Sequence, residues 1–92
     1  MTTFIINTQR FNQAAQNVKN LKGKPSDEDL LEIYALFKQG SVGDVNTERP
    51  GLLDLKGKAK WDAWSAKKGL SQDQAKEQYI TKAQSLVESI GL

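Results

Sequence analysis

Apolar residues recur at helical spacing along most of the chain, and no stretch alternates with the period of two that strands require. Turn-forming residues divide the chain into four such amphipathic stretches. An amphipathic helix must bury its apolar face against another element, and the sequence predicts only other helices for that role. The pattern therefore predicts an all-α fold, a four-helix bundle. A length of 92 residues suits one compact domain with a modest core, so we expect a single domain over residues 1–92.

The first two helices have recognisable ends. Helix 1 is predicted near residues 9–22, with Thr8 as its N-cap and Gly23 followed by Pro25 closing it. Helix 2 is predicted to start after Ser26, because a serine N-cap followed by three acidic residues opposes the positive end of a helix. Its buried face is expected to carry Leu30, Ile33, Tyr34 and Phe37.

The second half of the chain opens with a long loop. Glycine, proline and small polar residues are concentrated from Gly40 to about Lys56, which favours a turn-rich crossing over a helix. Trp61 and Trp64 then mark a short third helix, which Gly69 can end. Two indoles at this spacing are interpreted as packing residues, with base stacking as the weaker alternative. The fourth helix is predicted from the capping-box pattern of Ser71 and Gln74.

Composition excludes several classes of function. The chain has no cysteine and no histidine, which removes disulfides, thiol nucleophiles, ordinary zinc sites and the side chain best suited to proton transfer at neutral pH. We therefore expect no catalytic residues, no metal and no cofactor. The 13 Lys and Arg residues exceed the 11 Asp and Glu residues by only two, so we expect no nucleic-acid partner. The apolar run Phe4-Ile5-Ile6 is too short for a signal peptide or a membrane span, which predicts a cytoplasmic protein.

Tyr34, Phe37 and Lys38 are the first candidates for a binding site. On a helix, Tyr34 and Lys38 share a face and Phe37 lies on its edge, so a phenol, a ring and an ammonium converge. This set suits a phosphorylated adenine nucleotide, although buried aromatics beside a solvated lysine would give the same pattern. Among the alternating lysines that follow the loop, we choose Lys60, because a cation near a helix N-terminus opposes the helix dipole and invites an anion. The alternative is a solvated basic segment.

These residues also carry a family resemblance. Tyr34, Phe37 and Lys38, followed by VGDVNTERPG at residues 42–51 and KGKAKWDAW at residues 56–64, resemble the acyl-CoA-binding protein family. The similarity extends from about residue 9 to the C-terminus. It implies an up-down-down-up four-helix bundle with a long loop between helices 2 and 3. Residues 1–7 extend beyond the resemblance, and we expect them to be a flexible N-terminal extension.

The resemblance also implies a ligand site. The positions matching Tyr34, Lys38 and Lys60 hold the 3′-phosphate and nearby groups of coenzyme A in the family, and the aromatic at position 37 is the adenine platform. Many members have tyrosine where this chain has Phe37. Tyr79 and Lys19 match further ligand-contacting positions. The family positions that line the acyl groove between helices 1 and 2 correspond to Phe11, Ala15, Leu30 and Leu31.

The function implied is that of a non-enzymatic intracellular carrier. It would bind medium- to long-chain fatty acyl-CoA esters, and would buffer, protect and transport them for lipid metabolism. Its partners would be long-chain acyl-CoA, acyl-CoA-consuming enzymes and, transiently, membranes, and it would act as a monomer. The alternatives are a protein-interaction module that uses Phe4-Ile5-Ile6 or a basic face, weak nucleic-acid binding through the lysines near Trp61 and Trp64, and, ranked last, an enzyme.

Overall fold

Four helices account for most of the chain. The computed structural model describes the backbone of residues 2–92 and the side chains of residues 7–92. The helices are α1 (Thr2–Lys19), α2 (Asp27–Ser41), α3 (Leu55–Ser65) and α4 (Gln72–Ile90). They form an up-down-down-up bundle, and no strand occurs in the described backbone, so the predicted fold class is confirmed. Among these helices, none combines the length and apolarity that crossing a bilayer requires.

The predicted starts of α2 and α4 are confirmed by their caps. The Ser26 hydroxyl accepts a hydrogen bond from the backbone N–H of Asp29 at 3.1 Å. At the start of α4, Ser71 accepts from the backbone N–H of Gln74 at 3.0 Å, and the Gln74 side chain accepts from the backbone N–H of Ser71 at 3.2 Å. Each side-chain oxygen satisfies a backbone donor that the first helical turn leaves without a partner.

The predicted bounds of the first helix are wrong at both ends. α1 begins at Thr2 and continues through Thr8, so Thr8 is not an N-cap. Asn7 is buried, and the Thr8 hydroxyl accepts from Lys76 Nζ of α4 at 3.4 Å, so packing against α4 overrides the local capping tendency. α1 ends at Lys19, before Gly23, and the Lys22 N–H then donates to the carbonyl of Gly91 at 2.8 Å. Met1 and the side chains of residues 2–6 lie outside the described residues, so mobility of the extension stays a prediction.

The hydrophobic core centres on α4, which packs against both α1 and α2. Buried core side chains come from all three helices: Phe11, Ala14, Ile33, Leu36, Tyr79, Ile80, Ala83 and Leu86. The predicted buried face of α2 is only partly right. Leu36 and Gln39 are its largest fully buried side chains, whereas Phe37 is 38% exposed. The face of α2 that points to α4 is therefore rotated relative to the predicted one, and this rotation leaves Tyr34 and Phe37 open to a groove.

The long loop is shorter than predicted and is fixed at both ends. It runs over residues 42–54, because α2 continues through Ser41 and Asp54 caps α3 by accepting from the Gly57 N–H at 2.9 Å. The Asp54 carboxylate occupies the space that a β-carbon at position 57 would need, so glycine permits this cap. As a result Lys56 and Lys58 lie on α3 and not in the loop. α3 itself ends at Ser65, before the predicted stop at Gly69.

The two tryptophans of α3 bind the loop, which confirms their interpretation as packing residues. The Trp64 indole N–H donates to the carbonyl of Gly43 at 2.8 Å, and the Trp61 indole N–H donates to the carbonyl of Thr47 at 2.9 Å. Arg49 forms two hydrogen bonds of 2.8 Å with the Asp62 carboxylate, and this contact lowers the pKa of Asp62. The loop is therefore held against α3 at several points.

Candidate functional site

An open groove with a volume of about 660 Å³ lies between α1, α2 and α3. This volume falls within the roughly 300–1,000 Å³ typical of small-molecule sites. All four helices and the connection between α1 and α2 contribute to its lining: Ala15, Val18, Lys19, Lys24, Asp27, Leu30, Leu31, Ile33, Tyr34, Phe37, Lys56, Ala59, Lys60 and Tyr79.

The lining of the groove is largely apolar between α1 and α2. Ala15 and Val18 lie one helical turn apart on α1, and they face Leu30 and Leu31 in the first half of α2. These side chains are only partly buried. Such a strip leaves apolar surface in contact with water, and that surface would gain stability from covering by a hydrocarbon chain.

Lysines gather around the same groove. Lys19 and Lys24 approach it from the α1 side, and Lys56 and Lys60 approach it from α3. Lys56 and Lys60 are one helical turn apart on the same face. The Asp54 carboxylate already caps the positive end of α3, and the first turn of this helix contains no acidic residue, so Lys56 and Lys60 favour an anion nearby.

Tyr34 connects the lysines to the aromatic part of the groove. The Lys60 ammonium lies 5.3 Å from the centroid of the Tyr34 ring, within the range of a cation–π contact. Tyr34 is half-buried, so part of the ring faces the groove. An anionic group placed here would meet an ammonium and a phenol together.

Three aromatic rings form a partition at one end of the groove, and we call Phe11, Phe37 and Tyr79 the aromatic partition. Phe11 stacks on Phe37 with ring centroids 5.4 Å apart, and Tyr79 packs edge-on against Phe11 at 5.0 Å. Phe37 and Tyr79 line the groove, whereas Phe11 does not. Burial raises the pKa of Tyr79 to about 12, so its phenol is neutral and can donate a hydrogen bond at neutral pH.

A second cavity of about 550 Å³ lies on the Phe11 side of the partition. Most of its lining residues are of polar types: Thr8, Phe11, Asn12, Gly40, Ser41, Ser71, Gln72, Asp73 and Lys76. Lys76 crosses this cavity from α4, where its ammonium lies 5.9 Å from the centroid of the Phe11 ring.

The structure brings most of the predicted site residues together. The groove is lined by Lys19, Ala15, Leu30, Leu31, Tyr34, Phe37, Lys60 and Tyr79. Phe11 was expected to line the acyl groove, but the structure places it in the core, where it lines the second cavity instead. Lys38 is also absent from the lining, and its ammonium lies 4.8 Å from the centroid of the Trp64 ring. Lys38 follows Tyr34 by one helical turn, so it would have to leave Trp64 to reach the groove.

Sequence reasoning missed several lining residues. Lys56 was placed in the loop, although Asp54 followed by Gly57 could have indicated that α3 starts earlier. Once Lys56 is on the helix, its spacing from Lys60 puts both on one face. Lys24 lies in the connection between α1 and α2, where no spacing rule applies. The remaining lining residues that were not predicted are Val18, Asp27, Ile33 and Ala59.

Acidic side chains of the described residues do not assemble into a group that could hold a metal ion. Asp44, the first acidic residue of the long loop, accepts hydrogen bonds from the Gln39 side chain at 2.8 Å and from the Gly69 N–H at 2.9 Å. These bonds lower its pKa, with the bond from Gly69 as the largest cause. Both partners of Asp44 lie outside the long loop, so Asp44 joins the start of that loop to α2 and to the connection between α3 and α4.

Comparisons with known proteins point to one family. Residues 8–83 match the family model described as acyl CoA binding protein. An acyl-CoA-binding protein homolog from Manduca sexta is 62% identical over 85 residues, which cover 91% of this chain and 94% of the relative. A homolog from Drosophila melanogaster is 56% identical over 80 residues, covering 87% and 93%. The crystal structure of Acyl-CoA-Binding Protein 2 from Oryza sativa superposes with a TM-score of 0.86 at 43% identity, covering 90% of this chain and 92% of that one.

Proposed function

Because the chain belongs to the acyl-CoA-binding protein family, we propose that it is a non-enzymatic carrier of medium- to long-chain fatty acyl-CoA esters. The observation that carries this proposal is the composite groove, in which an apolar strip continues into a rim of lysines and aromatic rings. An acyl-CoA thioester has a hydrocarbon chain at one end, which suits the apolar strip, and phosphates at the other end, which suit the lysines.

The apolar strip would hold the acyl chain. Ala15, Leu30 and Leu31 face the groove and leave apolar surface for the chain to cover. Burying apolar chain contributes roughly 0.8 kcal/mol per methylene, so about a dozen methylenes could contribute on the order of 10 kcal/mol before the costs of association. Chain length should therefore dominate affinity.

The phosphates of coenzyme A would bind at the α2–α3 side of the groove. Tyr34 and Lys60 are already in contact there, and Lys56 lies on the same face of α3. The exposed part of Phe37 offers a platform on which adenine can stack. Lys19 and Tyr79 line the same groove, and Lys38 would join them after leaving Trp64. These groups would fix orientation and discriminate a CoA thioester from a free fatty acid.

Sequestering the ester would serve three purposes for lipid metabolism: it buffers the free concentration, protects the thioester and carries it to acyl-CoA-consuming enzymes. The protein would act as a cytoplasmic monomer with one binding domain and would touch membranes transiently when it exchanges ligand. It would need no catalytic residue, metal or cofactor, and it would not use nucleic acid as a partner. The thioester of the bound ligand is the reactive group on which the acyl-CoA-consuming enzymes act.

Isothermal titration with palmitoyl-CoA tests this proposal, with coenzyme A and palmitate as separate ligands for the two halves of the site. We expect one-to-one binding of the thioester that is tighter than binding of either fragment by orders of magnitude, because the two contributions share one association cost. If palmitoyl-CoA bound no more tightly than coenzyme A alone, the apolar strip would not be an acyl site. The carrier function would then be wrong even though the fold stands.

A further inference from the structure

The most exposed apolar side chains of the described residues lie where the long loop meets α3. Leu52, Leu53 and Leu55 are 83%, 100% and 73% exposed. We call these three residues the leucine tip. Isolated exposed leucines are ordinary on a protein surface, but three in four consecutive positions form a concentrated apolar protrusion.

Hydrogen bonds hold the backbone on both sides of the leucine tip. Asp54 caps α3 through the Gly57 N–H, and its own N–H donates to the carbonyl of Gly51 at 3.1 Å. Upstream, the paired hydrogen bonds between Arg49 and Asp62 hold the loop against α3. These bonds limit the backbone entropy that would be lost if the leucines entered an apolar phase.

Positive charge predominates beside the leucine tip. Lys56, Lys58 and Lys60 follow it within five residues, and the one carboxylate of the segment, Asp54, is engaged in the helix cap. Leucines that can enter an acyl layer, next to lysines that can meet anionic headgroups, are the pattern of an interfacial membrane contact. A bilayer also accepts a convex protrusion without a complementary pocket.

We propose that the leucine tip docks the protein on anionic lipid bilayers and thereby brings the groove to the membrane surface. The connection is physical, because Lys56, Ala59 and Lys60 of the groove wall follow the tip directly on α3. This proposal rests on the proposed carrier function for its purpose, since a docked groove could exchange acyl-CoA with the bilayer without exposing the chain to water. The docking itself does not require a bound ligand.

Co-sedimentation of the ligand-free chain with vesicles tests the docking. The probes are vesicles of phosphatidylcholine with phosphatidylserine, beside vesicles of phosphatidylcholine alone. We expect preferential binding to the anionic vesicles that weakens at high salt. The double variant Leu52→Ser with Leu53→Ser should lower partitioning by at least about tenfold, because the removed side chains no longer enter the bilayer. Leu92→Ser is the matched control, since it removes a half-exposed leucine at the C-terminus and should change partitioning less than twofold.

Two results would overturn the docking surface. The first is a double variant that binds anionic vesicles as well as the unchanged chain does. The second is an unchanged chain that ignores vesicles but forms dimers in sedimentation velocity, with the double variant monomeric, because the leucine tip would then bind a second copy.

Titration of the double variant with palmitoyl-CoA separates this proposal from the carrier function. Leu52 and Leu53 do not line the groove, so the affinity of the double variant for palmitoyl-CoA should stay within twofold of that of the unchanged chain. If the unchanged chain failed to bind palmitoyl-CoA while vesicle binding behaved as expected, the carrier function would fail and the docking surface would stand.

Discussion

Two cavities among the described residues have similar volumes and differ in chemistry. The groove between α1, α2 and α3 measures about 660 Å³, and the cavity beyond the aromatic partition measures about 550 Å³. The groove combines an aliphatic strip with four lysines, whereas most residues around the second cavity are of polar types and Lys76 is their one lysine. Only the groove offers separate apolar and cationic regions, so lining chemistry and not volume distinguishes the candidate site.

Phe11 separates the two cavities and also belongs to the core, so its removal should have the largest effect on the molecule. Phe11→Ala should lower the free energy of unfolding by about 3–5 kcal/mol, because it leaves a cavity where the ring now packs on Phe37 and Tyr79. Chemical denaturation measures this loss. Phe37→Ala should cost about 1 kcal/mol or less, because that ring is already partly in water.

The same pair of variants should exchange their order when ligand binding is measured. Under conditions where both remain folded, Phe37→Ala should weaken palmitoyl-CoA binding more than Phe11→Ala does, because Phe37 lines the groove and Phe11 does not. Equal losses of stability for the two variants would show that Phe37 is a core residue, and the partition would then not separate a structural side from a binding side.

Tyr79 extends the comparison to alkaline pH. Its folded pKa of about 12 lies above the ordinary tyrosine value of 10.0, so the folded state disfavours the ionised phenol. Stability from this group is fully present below pH 10 and is lost as the pH rises through about 12, by about 1.4 kcal/mol per pH unit in between. The expected total is on the order of 3 kcal/mol. Tyr79→Phe should remove this part of the alkaline decline in denaturation midpoints.

Tyr34→Phe is the matched control for the alkaline measurement. It removes the chain's other tyrosine and keeps Tyr79, so it should keep the decline due to Tyr79. If Tyr79→Phe declined between pH 10 and 12 as steeply as the unchanged chain, the Tyr79 phenol would reach water, and the partition would be more open than its packing indicates.

The fold was largely predictable because its signals are local. Helical spacing, the Ser26 cap and the capping box at Ser71 and Gln74 each depend on a few neighbouring residues, and all are present in the structure. The start of α1 was not predictable in the same way. Thr8 has the chemistry of an N-cap, but its contact with Lys76 depends on a residue far along the chain.

The candidate site follows the same division between local and long-range information. Tyr34, Phe37 and Lys60 could be chosen from spacing together with the family resemblance, and the groove brings them together. Phe11 was assigned to the acyl groove by the family resemblance, whereas its spacing marks it only as apolar and does not show which side of α1 meets α4. The position of Lys38 over Trp64 depends on how α2 and α3 pack, which no pattern within either helix records.

Three lysines provide the finest comparison of the two cavities, because the same substitution can be made in each environment. Lys60→Gln should weaken palmitoyl-CoA binding by about 1.5–3 kcal/mol, since it removes a charge-assisted hydrogen bond to a phosphate. Lys38→Gln should cost less, because Lys38 must give up its contact with Trp64 before it can reach the ligand. Lys76→Gln, in the second cavity, should change affinity less than twofold. Calorimetric titration of all three under one salt condition checks the order, and a loss at Lys76 equal to that at Lys60 would place the ligand's anionic end on the wrong side of the aromatic partition.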